Sequence, residues 1–281
     1  MTRRRRSLRR WPSSLLRLSV VALCLAACSS STGAAPLPAD PLPLSGAVVD
    51  EFDGPAGAPP SSKYWTYDLG HPGAAHKELQ TYVDSTDNIH LDGQGHLVIQ
   101  ARTTSNGYTS GRLVTRGKVN MQYGTIAARI KFPTGQGIWP AFWMLGSNME
   151  TVSWPQCGEI DIMELVNSGS TYYVTLHGPQ GDSDYLDGNG VGAEGQIADL
   201  TTDFHTYWVN WQPDTITIGV DGSTLGHFTP SSLPPGAQWV FNNNPMYALL
   251  NVAVGGDWAG PPDESTRFPP TILVDWFRYT P

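Results

Sequence analysis

The sequence predicts an all-β domain, a sandwich or jelly roll, and three observations carry that reading. Short runs of alternating apolar and polar residues recur along the chain, separated by turn signals such as Asp92-Gly93, Asp187-Gly188 and Asp221-Gly222. Glycine and proline are abundant, with 30 and 23 copies, which breaks the chain too often for long helices. No stretch sustains a helical period. The strand candidates, in order, are 96–102, 124–132, 141–145, 159–166, 172–177, 205–212, 215–220, 247–254 and 272–279. Many short strands at this spacing close into two packed sheets.

The chain before this domain reads as an export segment. Arg3 to Arg6, Arg9, Arg10 and Arg17 form a positive region ahead of the apolar run Leu18 to Ala27. That run is too short to span a bilayer as a helix and has the form of a signal peptide over residues 1–27. It ends in Leu25-Ala26-Ala27-Cys28, which resembles a bacterial lipoprotein box, so Cys28 is the candidate for lipidation. An ordinary secretory signal is the alternative, and the arginine pairs fit a twin-arginine signal only weakly. Residues 28–46, rich in Ser, Ala and Pro, form a tether, and 47–281 form one domain of ordinary size for this class. The expected location is outside the cytoplasm, at the membrane through the lipid or secreted.

Removing the segment changes the charge. Seven of the 17 basic residues precede Cys28, leaving ten against 25 acids, a net charge of −15. Such a surface disfavours nucleic acid and polyanionic glycans but does not repel a neutral polysaccharide. Of three cysteines only Cys157 remains if Cys28 is acylated, so no disulfide is expected. Cys157 lacks a neighbouring catalytic histidine and reads as a small core residue.

The stretch Gly158-Glu159-Ile160-Asp161-Ile162-Met163-Glu164-Leu165 organises the rest. In a strand Glu159 and Asp161 share a face, while Glu164, at an odd offset, would enter the core. Burying an unpaired carboxylate is costly. One extra residue, a β-bulge near Ile162-Met163, brings Glu164 back beside the other two. Two glutamates flanking a shorter aspartate suit retaining glycoside hydrolysis, which needs two carboxyl groups about 5–5.5 Å apart. A plain solvated acidic strand is the competing reading, which like-charge repulsion and the neighbours Trp154-Pro155 disfavour.

Trp154-Pro155-Gln156-Cys157 followed by GEIDIME resembles the active-site signature of glycoside hydrolase family 16, in its bulged laminarinase-like form. Glu78-Leu79-Gln80-Thr81-Tyr82, Gly137 to Leu145 (GIWPAFWML) and Leu250 to Gly256 (LNVAVGG) extend the likeness over nearly all of the domain. The resemblance implies a curved two-sheet β-jelly-roll of the concanavalin A-like type, with a concave glycan cleft. It implies a monomeric endo-β-1,3-glucanase that needs no cofactor for catalysis. Glu159 would be the nucleophile, Glu164 the general acid/base, and Asp161 the residue that orients Glu159. Glu164 is then expected to start protonated and Glu159 ionised.

Trp139, Trp143 and Trp154 flank the acids in sequence, and similar tryptophans line the cleft in such enzymes; Trp258 is a fourth candidate. Trp208, Trp211 and Trp276 are assigned to packing. His177 ends the following strand, and a histidine at the matching place in the family hydrogen-bonds near the nucleophile and the sugar. Arg112 and Asn88 are weaker sugar-contact candidates. Similar members bind a structural calcium through an acid pair and a carbonyl, here Glu51, Asp275 and Gly95; two surface acids without a metal is the other reading.

Rivals within the same chemistry are mixed-linkage β-1,3-1,4-glucan hydrolysis and transglycosylation. The ExDxxE spacing favours the laminarinase side. A non-catalytic glycan-binding protein on the same scaffold would have lost Glu159 or Glu164, and both are present. For the lipid anchor, Cys28→Ser should move the protein out of the membrane fraction of the producing cell without changing specific activity. Equal release of wild type and variant would identify an ordinary secreted protein.

Overall fold

The computed structural model describes residues 43–281, with Ala75 described by its backbone alone. The signal segment, Cys28 and most of the tether lie outside the described residues. The domain is built on two large stacked antiparallel sheets, the jelly roll expected from the alternation, with a two-stranded and a three-stranded sheet beside them. One sheet has seven strands in the order Val191–Gln196, Thr171–His177, Glu159–Leu165, Ile138–Gly146, Met246–Val254, Arg112–Val114 and Thr66–Tyr67. The other runs Ser223–Phe228, Thr215–Val220, His205–Gln212, Gly124–Lys131, Thr271–Thr280, Leu97–Gln100 and Ile89–Leu91, with Val48–Asp50 also paired to Thr271–Thr280.

The core lies between the sheets because period-two alternation gives each strand one apolar face. Gly124–Lys131 alternates strictly: Ile126, Ala128 and Ile130 are fully buried, and the residues between them are half-buried. From the opposite sheet Phe142, Met144, Ile160, Leu250 and Val252 complete the layer. Phe142 meets Phe277 edge to face across the interface, with ring centroids 6.4 Å apart.

The nine expected strands are all present, with ends moved by a few residues. Several shorter strands were missed. Ser223–Phe228 was signalled by the two-residue Asp221-Gly222 turn, since Val220 pairs directly with Ser223. Val191–Gln196 is a glycine-containing edge strand with half-exposed side chains, and Arg112–Val114 is too short to show alternation.

Among the tryptophans assigned to packing, Trp211 is fully buried, whereas Trp208 and Trp276 are only half-buried. Trp208 sits three residues from Trp211 and therefore on the opposite face of its strand. Its ring covers Gly219, where an added Cβ would come within 2.2 Å of the indole. The Arg278 guanidinium lies 4.4 Å from the Trp276 ring centroid.

Truncating the cross-sheet contact tests this packing. Phe142→Ala should cost about 3–5 kcal/mol in unfolding free energy, measured by denaturant melts. A loss below about 1 kcal/mol would mean that Phe142 is not a contact between the sheets.

Candidate active site

The site is built on the strand Glu159–Leu165. Its partner on one side pairs Thr175 with Asp161 and Tyr173 with Glu164, so Val174 alone faces both Ile162 and Met163. On the other side Trp143 pairs with Asp161 and Phe142 with Met163, leaving Ile162 as the extra residue. Ile162 and Met163 are both fully buried, two inward side chains in succession. The bulge expected from the cost of burying Glu164 is therefore present. Glu159, Asp161 and Glu164 all line one cleft of about 680 Å³ on the outer face of the seven-stranded sheet.

Each acid has a different set of neighbours. Glu164 Oε1 accepts a hydrogen bond of 2.8 Å from Trp139 Nε1. Asp161 is 2% exposed, and its Oδ2 lies 3.3 Å from His177 Nε2, an ion-pair contact too poorly aligned for a full hydrogen bond. His177 pairs directly with Glu159 in the sheet. Its other nitrogen, Nδ1, lies 2.6 Å from Asp184 Oδ2. Across the cleft floor, the Arg112 guanidinium lies 4.7 Å from the Trp143 ring centroid, with Nε 2.9 Å from Asp68. Trp143 Nε1 donates to Asn251 Oδ1 at 2.7 Å.

These surroundings decide where protons sit. Burial first, then the charge of Asp161, pushes Glu164 well above the ordinary carboxylate range, against the opposing Trp139 hydrogen bond and His177. The same two causes raise Glu159 to about 8, opposed by His177 and Arg112. Burial alone would discharge His177. The carboxylates of Asp161 and Asp184 at its two nitrogens, with the charge of Glu159, outweigh it and lift the ring to about 12. The raised Glu164 agrees with expectation. Glu159 departs from it: burial and Asp161 act on both glutamates, so it too is raised. Cys157 is buried and its thiol is pushed up to about 11 by burial and the charge of Glu159, as a core residue would be.

The remaining candidates divide. Trp139, Trp143, Trp154, Trp258, His177 and Arg112 all line the cleft. Trp154, 39% exposed, stands beside His177 with ring centroids 6.0 Å apart. Trp258, 40% exposed, meets Trp139 and Tyr173 edge to face at 5.0 and 4.7 Å. An aromatic therefore stands at each end of the row of acids. Asn88 does not belong to the site: it is buried away from the cleft, and its amide donates to the Gln100 carbonyl at 3.0 Å.

The expected calcium set does not form a ready shell. The Glu51 carboxylate takes Arg278 at 2.9 Å and Asp275 takes Arg129 at 2.5 Å, so each acid already has a cation. A Cβ added at Gly95 would lie 3.9 Å from a different acid, Asp53. In the cleft, Glu159, Asp161 and His177 bring ligand atoms within 4.8 Å of one another. With carboxylates at both ring nitrogens, His177 holds protons there, which suits acid–base work rather than a metal.

Sequence reasoning missed Asp184, Tyr173, Glu78 and Asn251. Glu78 and Asn251 stood within recognised motifs without a role. Asp184 gave no local signal, since it meets His177 only where the chain folds back after that strand.

The chain is similar to known proteins. The model for glycosyl hydrolases family 16 matches residues 76–278. A β-glucanase of Rhodothermus marinus is 38% identical over 239 residues, covering 82% of this chain and 82% of that protein. The catalytic domain of an endo-1,3-beta-glucanase (laminarinase) from Thermotoga petrophila RKU-1 superposes with a TM-score of 0.74 at 38% identity, covering 82% of this chain and 95% of that one. An endo-beta-1,3-glucanase from Pyrococcus furiosus gives 0.73 at 40% identity, covering 82% and 92%.

The buried acids carry a stability consequence. Between the ordinary glutamate value of 4.5 and about 8, the native state holds protons that the unfolded chain releases, so stability falls as pH rises through that window. Glu159→Gln should therefore raise stability by about 1–3 kcal/mol at pH 8, with the gain vanishing below pH 4. Thermal melts across this range test it. A gain that grows toward acid pH would reverse the sign and refute the assignment.

Proposed function

The chain belongs to glycosyl hydrolase family 16, and on that footing we propose that it is a retaining endo-β-1,3-glucanase of laminarinase type, with Glu159 as nucleophile and Glu164 as general acid/base. The observation that carries this reading is the bulge, which sets three carboxylates of one strand along a single cleft wall. The similarity to laminarinases over most of the chain supports the β-1,3-glucan as substrate.

The reaction depends on the two protonation states. Glu159 acts as the carboxylate, the form that His177 and Arg112 favour. Asp161, beside it on the same strand, orients it. The Glu159 carboxylate attacks the anomeric carbon while Glu164 delivers its proton to the glycosidic oxygen. The bond to the leaving sugar breaks and a glycosyl ester on Glu159 remains. Its formation removes the negative charge at Glu159, which makes Glu164 a ready base. Water then attacks the anomeric carbon and yields its proton to Glu164, and Glu159 is released as a carboxylate.

Trp154 and Trp258 offer aromatic faces to sugar rings at the two ends of the acid row. Such contacts are comparable to the ~0.5–1.5 kcal/mol of aromatic pairs. Trp139 serves a second purpose, since its indole fixes the Glu164 carboxyl. In this reading the enzyme works outside the cytoplasm, held by a lipid on Cys28; the support for that is the sequence of the export segment.

Two measurements test the proposal. Laminarin should yield oligosaccharides faster than lichenan or agarose, and faster release from lichenan would move the substrate to mixed-linkage glucan. Azide separates the glutamates. With an activated β-glucoside, Glu164→Ala should form the glycosyl-enzyme and give the β-azide after two inversions. Glu159→Ala should give the α-azide after one. The opposite pair of products, read by NMR, would exchange the two roles.

A further inference from the structure

We propose that Asp184 is a positioning residue of the active site, which holds His177 as a permanent cation beside Asp161 and through it governs how the acid row shares its protons. The catalytic part of this inference rests on the roles given above to Glu159 and Asp161; the electrostatic part does not.

Asp184 lies outside the acid strand, at the end of the small hairpin Pro179–Gln180 and Ser183–Asp184. It is 4% exposed, and a carboxylate so buried must be paired. Both of its oxygens are used: Oδ2 faces His177 Nδ1 at 2.6 Å, and Oδ1 accepts the Gly178 N–H at 2.9 Å. The hairpin is pinned on either side of it. The next residue, Tyr185, is fully buried and its hydroxyl donates to the Gln238 carbonyl, while the Leu186 N–H donates to Gln180 Oε1 at 2.9 Å. Gly190, at φ +69°, lets the returning chain lie against His177, where an added Cβ would come within 2.8 Å of the ring. Asp184 is thus delivered to His177 by the packing of the hairpin.

Geometry then fixes the charge of the ring. A neutral imidazole donates from only one nitrogen. A carboxylate faces each nitrogen of His177, Asp184 within hydrogen-bond distance at 2.6 Å and Asp161 in an ion-pair contact at 3.3 Å, so the doubly protonated ring is the form that both carboxylates favour. The other charged groups around it are Glu159 and Glu164 on the acid strand, Glu194 on the neighbouring edge strand and Arg112 across the floor. Acids outnumber the single arginine, which reinforces the cation.

The substitution Asp184→Asn would keep the shape but aim an amide hydrogen at Nδ1. His177 would become neutral, with its remaining proton on Nε2 toward Asp161. Without that cation the acid row holds its protons more tightly, and Glu159 ionises at higher pH.

The test tracks the histidine side chains by heteronuclear NMR in the intact protein, with the His177 signal identified by its loss in His177→Gln. In wild type it should show no titration between pH 5 and 10. In Asp184→Asn it should titrate within that range. On laminarin, Asp184→Asn should lower kcat/KM at neutral pH by roughly ten-fold, the equivalent of one unit of acid–base mismatch, and move the acid limb of the pH profile upward. In a His177→Gln background the same substitution should add less than about two-fold, since coupled residues are non-additive. A wild-type His177 that titrates near its ordinary value overturns the proposal without any variant at 184. A full additional loss in the His177→Gln background would reduce Asp184 to a structural support of the hairpin. Absence of laminarin hydrolysis with His177 held charged would instead refute the substrate reading and leave the cation in place.

Discussion

Everything in this molecule bends around the repulsion of three carboxylates held close together at the bottom of a cleft. Water would normally separate or solvate them, and the fold denies them most of that relief. The strand that carries them departs from regular pairing so that none enters the core. His177 and Arg112 supply nearby positive charge, and the Trp139 indole supplies a hydrogen bond at the far end. These compensations are partial, since both glutamates still ionise less readily than in water. The residual strain is the state of readiness that glycosidic cleavage uses: one carboxyl able to give a proton, another able to lose one and attack.

How far this was legible depended on whether the signal was local. The bulge could be read from six residues, because the spacing of Glu159 and Glu164 leaves only an irregular strand or a buried charge. Strand positions were legible wherever one face was apolar, and they failed at Val191–Gln196, where small and polar residues lie at a sheet edge. Asn88 was misplaced because a polar residue near a strand looks the same whether it meets a ligand or a backbone carbonyl. Asp184 was invisible for a related reason. Its meaning comes from a loop that folds back on the preceding strand, and no spacing encodes that return.

The acid pair expected to hold calcium teaches the converse. Glu51 directly succeeds the strand Val48–Asp50, which pairs with the strand of Asp275, yet closeness in the fold does not specify what two acids bind. Arg278 and Arg129 reach them from the same sheet surface, and each guanidinium satisfies a carboxylate without dehydrating an ion. In a chain with ten basic residues against 25 acids beyond Cys28, committing two arginines here is a considerable share of the available positive charge.

The successive inward side chains of Ile162 and Met163 join two properties that are usually adjusted separately. Both residues fill the hydrocarbon layer against Val174 and Phe142, and both define the backbone detour that spaces the glutamates. A methyl group added or lost in that layer is therefore transmitted to the reacting carboxyls through a short stretch of backbone. Variation beneath the floor of the cleft, with no contact to sugar, becomes a route by which the rate and linkage preference of such an enzyme can drift.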